Sequence, residues 1–148
     1  MLFRVVLIVL LLIVLFATYV RLAPVNPDDW HVDPGTEDAG QGSLLSQADS
    51  PVWSEPPQEV LNALNTIALS TDRTVRLAGD VASGRITYVT RSLVMGFPDM
   101  TTVGAAETPE GTKLTILARQ RFGIEDLGTN QGRIDDWLEA LTEALPPQ

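Results

Sequence analysis

The chain has 148 residues, 45% of them hydrophobic, which is room for one domain and accessory segments. Ten Lys+Arg against nineteen Asp+Glu leave a net charge of −9, which argues against a polyanionic partner such as nucleic acid. With no cysteine, disulfides, thiolate metal sites, thiol nucleophiles and cysteine-linked lipids drop out together.

The first element is a hydrophobic run, VVLIVLLLIVLFATYV from Val5 to Val20, extended by Leu2 and Phe3 across the lone Arg4. It approaches the roughly 20 residues that cross a bilayer core, and without Pro or Gly it pairs every backbone amide as a helix. Tyr19 and Arg21 stand where the headgroups lie. A cleaved secretory signal has the same outline. Its cleavage sites are poor here, because a cut after Ala23 has Arg21 and Pro24 beside it and a cut after Ala17 has bulky Leu15. Residues 1–21 are therefore expected to remain as a transmembrane anchor. The α-amine and Arg4 precede the span and Arg21 follows it, a slight bias towards N-terminus in and domain out. In a Gram-negative bacterium that is an inner-membrane protein with a periplasmic domain.

Residues 22–53 read as an extended linker. Six of the ten prolines fall between Leu22 and Pro57, around the acidic stretch DPGTEDAGQGS. Trp30 and Trp53 are large aromatics for a linker; Trp53 is expected to dock on the domain. His31, between Asp29 and Asp33, is the only histidine, too little for a metal site, and no cofactor is indicated.

Residues 54–148 carry the domain. After a possible cap at Ser54, Val60, Leu61, Leu64, Ile67 and Ala68 form one helical stripe. TVRLAGDV and RITYVTR alternate with period two around Ala-Ser-Gly, and two further strands, around Met100–Ala106 and in KLTILARQR, flank the turn ETPEGT. A last helix places Ile134, Trp137, Leu138, Leu141 and Leu145 on one side, with Thr129 or Asn130 as N-cap. The expected fold class is α+β, a two-layer sandwich of a four-stranded antiparallel sheet with two helices on one face. If Val75, Leu77, Ile86, Tyr88, Leu114 and Ile116 face those helices, Arg76, Arg85, Arg91, Arg119 and Arg121 line the other, open face. That face would suit an anion or an acidic partner; arginines there also pair with acids and protect edges.

GFPDM (Gly96–Met100) and RFGIEDLGTNQGRI (Arg121–Ile134) resemble the bacterial and plastid family known as domain of unknown function 1499, over roughly Trp53 to Leu145. Arg121, Gly123, Asp126, Leu127, Gly128, Asn130 and Arg133 fall on its second string in register. The chain departs from the common pattern at Leu117–Gln120 and at Met100. The resemblance implies a fold and no reaction. The string also reads as structure: Leu127 plugs the core and Asn130 caps the helix carrying Arg133. As a site it would be a ligand- or partner-binding loop of Arg119, Arg121, Asp126, Asn130 and Arg133. No Gly-x-Ser-x-Gly elbow, Walker loop or usable histidine favours an enzyme. The expected function is a membrane-anchored binding or scaffolding module that engages an envelope protein or an anionic ligand, with ligand or lipid binding at the Arg121–Arg133 loop as the alternative.

Overall fold

The computed structural model describes residues 1–122 and 127–148. The apolar run is one helix, α1 (Leu2–Leu22), with its side chains exposed along most of its length. It is long and apolar enough to cross a membrane, at mean hydropathy 2.8. A single turn, α2 (Pro27–Trp30), starts where Asn26 accepts the Asp28 amide through its side chain. Then come β1 (Ser43–Leu45), α3 (Pro57–Ser70), β2 (Thr74–Asp80), β3 (Arg85–Arg91), β4 (Pro98–Thr108), β5 (Gly111–Gln120) and α4 (Thr129–Ala144).

The sheet has five strands, in the order β1-β5-β4-β3-β2, where four were expected. The fifth, β1, comes from the stretch expected to be linker and covers the free edge of β5 through Ser43↔Ala118 and Leu45↔Ile116. Only three residues long and bounded by Ser and Gly, it is below the length at which alternation registers. Gly42 lets it approach: a Cβ there would collide with the Ala118 carbonyl.

Helices α3 and α4 cover one face. Val60, Leu61, Leu64 and Ala68 of α3, Ile134, Trp137 and Leu141 of α4, and Ile86, Tyr88, Val103, Leu114, Ile116 and Ala118 of the sheet form the core. Each large apolar side chain buried there contributes about 1.5–3 kcal/mol. Trp53 closes it: fully buried, it exchanges main-chain hydrogen bonds with Thr112 and donates its indole N–H to the Leu145 carbonyl at 2.8 Å. Tyr88 stacks edge-on against Trp137 with centroids 5.5 Å apart and donates to Asn65 Oδ1. Burial pushes its phenol well above the usual tyrosine range.

Local expectations fail at four points. The N-cap of α3 is Pro56, not Ser54, and that of α4 is Gly128, which at φ 78° has no capping side chain. Leu127 does not plug the core; it is 88% exposed, with a left-handed φ of 53°. In β2 the facing is reversed. Val75 pairs with Val89 on the outer face and is exposed, while Arg76 pairs with Tyr88 on the helix face, and the register then shifts between Arg76 and Ala78. A bulge resets the alternation along a strand, so a period-two reading carried through Leu77 misassigns its faces.

Candidate functional site

The outer face carries Arg85, Arg91 and Arg119 within its strands and Arg121 just beyond β5, together with Thr87, Val89, Met100, Thr102 and Leu117. It is not open. The chain leaving α1 runs across it, and Val20, Ala23 and Pro34 are buried there. Arg121 Nη1 donates to the Pro24 carbonyl at 2.7 Å, and Arg91 Nη1 donates to the Gly96 carbonyl at 3.0 Å and towards that of Val20 at 3.4 Å. Arg119 lies over the Trp30 ring, 5.2 Å from its centroid, and reaches Glu37 at 3.8 Å. Arginine serves here as a multi-armed donor to main-chain carbonyls, which a strand of polar linker supplies in quantity.

Between these arginines runs a directed relay. Thr102 donates its hydroxyl to the Trp30 carbonyl at 3.0 Å, so the proton between Thr87 and Thr102, 2.9 Å apart, belongs to Thr87. Thr87 must then accept from His31 Nδ1 at 2.8 Å, which fixes the neutral imidazole as the Nδ1–H tautomer. Burial and then the nearby Arg85 charge hold the His31 pKa below its ordinary value. His31 is thus a structural contact between linker and sheet; among the described residues no group of three or more His, Asp or Glu is placed to hold a metal ion.

On the helix face, Arg133 of α4 donates Nη2 to Asp99 Oδ2 at 3.1 Å and Nη1 to Asn130 Oδ1 at 2.6 Å. The side chains of Arg133 and Asp99 are only 9% and 17% exposed. Asp99 belongs to GFPDM and Arg133 to the second string, so the two family strings meet in one buried ion pair across the β4–α4 contact. Asp99 was not among the expected site residues although it lies in the first string, because its pairing with Arg133 cannot be read from sequence spacing. Removing one member of such a pair is strongly destabilising, because the other stays desolvated.

The expected site residues therefore divide. Asn130 and Arg133 are brought together on the helix face; Arg119 and Arg121 lie with the linker; Asp126 lies outside the described residues.

At the end of the sheet nearest α1, the loop between β3 and β4 rests on the helix. Phe97 meets Phe16 edge-on with centroids 6.3 Å apart and Phe122 at 6.0 Å. Arg21 Nη2 donates to the Val94 carbonyl at 2.6 Å. Gly96, at φ 75°, packs where a Cβ would meet the Arg21 side chain at 2.7 Å, so the first residue of GFPDM is needed both for its conformation and for this approach.

Fold and site together define an antiparallel α+β sandwich whose N-terminal apolar helix is packed against one end of its sheet. The chain belongs to the family described as protein of unknown function (DUF1499), whose model matches residues 35–141. That match begins inside the stretch expected to be linker, ahead of β1. Among solved structures the chain is similar to protein MLL2253 from Mesorhizobium loti, at 16% identity and TM-score 0.46, covering 69% of this chain and 96% of that one. It is also similar to protein CV1439 from Chromobacterium violaceum, at 21% identity and TM-score 0.46, covering 74% of this chain and 99% of that one. No curated protein matches the sequence.

Proposed function

We propose that the chain is a single-pass membrane protein of the bacterial inner membrane, whose acidic α+β domain faces the periplasm and acts as a binding or scaffolding module held directly against the bilayer. The observation that carries this reading is the contact of Phe16, inside the apolar helix, with Phe97 of the domain. Phe16 lies six residues before the helix end at Leu22, about 9 Å along the axis, so whatever surrounds the end of the helix also surrounds the β3–β4 loop. A module fixed in this way presents exposed acids, such as Asp135, Asp136, Glu139 and Glu143 of α4, to other envelope proteins at a set height.

The test is carbonate washing and flotation of the full chain with phosphatidylcholine vesicles, a C-terminal alkaline phosphatase fusion in a Gram-negative host, and cross-linking in intact cells. The reading expects an intact N-terminus in the floated fraction, an active reporter, and an envelope protein cross-linked to the domain. A processed, carbonate-soluble chain overturns the anchor; an inactive reporter overturns the orientation; an anchored chain that cross-links to nothing overturns the module.

A further inference from the structure

Beside the contact between α1 and the loop, Arg21, Arg73 and Arg91 converge on a cavity of about 440 Å³ whose remaining wall includes Val75 and Leu93. Three features make it unlike the rest of this acidic protein. The arginines are held in place chiefly by main-chain carbonyls: Arg21 and Arg91 each donate to loop carbonyls, and Arg73 Nε donates to the Arg91 carbonyl at 3.1 Å. Among the described residues the only carboxylate within ion-pair reach of the three is that of Asp72, 3.6 Å from Arg73, with its side chain 89% exposed. Guanidinium groups fixed by one or two nitrogens keep the others for an incoming anion.

The second feature is apolar. Val75, Leu93 and Val94 are 61%, 72% and 76% exposed, side by side with the charges. A free inorganic anion has no use for them. The third is position: Arg21 ends the apolar helix, and Phe97 in the same loop touches Phe16 within it. A cavity that sets cationic donors next to exposed Leu and Val, beside an apolar helix long enough to cross a membrane, offers both the charge that a phosphate headgroup needs and the apolar surface that its acyl chains need.

We propose that this cavity binds the phosphate of an anionic membrane phospholipid, whose acyl chains descend past Leu93 and Val94 alongside the helix. The proposal rests on the membrane-anchored reading. Arg73 is the recognition residue most separable from the fold, because its side chain is nearly half exposed and its loss leaves Arg21 and Arg91 bracing the loop.

The experiment is native mass spectrometry of the full chain released from nanodiscs of phosphatidylcholine with and without phosphatidylglycerol. One phosphatidylglycerol is expected to remain per chain, in preference to phosphatidylcholine. Arg73→Gln should cut that retention about five-fold, the effect of one interfacial arginine. Leu93→Ser should cut it too, and Arg4→Gln, at the far end of the span, should leave it unchanged. Equal retention of the two lipids, retention insensitive to both cavity variants, or displacement by inorganic phosphate would overturn the proposal. A chain that does not enter phosphatidylcholine nanodiscs at all marks the separate failure of the anchor.

Discussion

The two faces of the sheet are covered by different means. On the helix face, two amphipathic helices and Trp53 bury aliphatic and aromatic side chains, and polar groups among them pair with one another, as Arg133 does with Asp99, with the buried Thr101 hydroxyl as an exception. On the outer face a single irregular segment lies over threonines and arginines and is held by side-chain donors to its main-chain carbonyls. The first kind of cover draws on the hydrophobic effect and is proportional to area. The second exchanges bonds to water for bonds to protein, each worth about 1 kcal/mol net, and is correspondingly easier to peel away.

The sharpest way to break this contrast is to truncate the largest fully buried side chain of the strong face. Trp53→Ala is expected to cost about 3–5 kcal/mol, read as a drop in the urea midpoint of the whole domain. A variant unfolding at the wild-type midpoint would mean that Trp53 is not part of the core. On the weak face, Trp30→Ala removes the Arg119 stack and is expected to cost about 1 kcal/mol, with the change concentrated in faster hydrogen exchange at residues near 24–37. Equal loss of protection in the core strands would erase the distinction between the faces.

The smallest expected effect is in pH. The His31 pKa is lowered on docking, so the undocked segment binds more protons, and docking is fully stabilised above the ordinary histidine value of about 6.5. It weakens as pH falls below that value and levels off beneath the docked pKa. Hydrogen exchange at residues 25–37, corrected for intrinsic rate, should rise slightly from pH 7.5 to pH 5 in the wild type and not in His31→Gln. A pH-independent segment would remove His31 from the linkage.

What sequence made legible follows the same division. The apolar helix, α3, the four main strands and α4 announce themselves through the periodicity of Leu, Ile, Val and Trp, and Trp53 was readable because an indole is rarely left in a free linker. The outer face was not, because alternation says which residues leave the core and nothing about what meets them; a covered arginine and a solvated one have the same spelling. The bulge in β2 reversed Val75 and Arg76, and β1 was too short to show a period. The second family string was legible as a string, yet its pairing of Arg133 with Asp99 spans the β4–α4 contact and needs the fold.

The central claim is that the domain is fixed to the apolar helix rather than swinging on a free linker. Because the chain has no cysteine, labels at Leu7→Cys in the span and Glu107→Cys in the domain report one distance without further change. Pulsed electron–electron resonance in phosphatidylcholine nanodiscs is predicted to give a single narrow distribution, widening in Trp30→Ala. A wild-type distribution spread over tens of ångströms, as about thirty residues of free chain would allow, would contradict the claim.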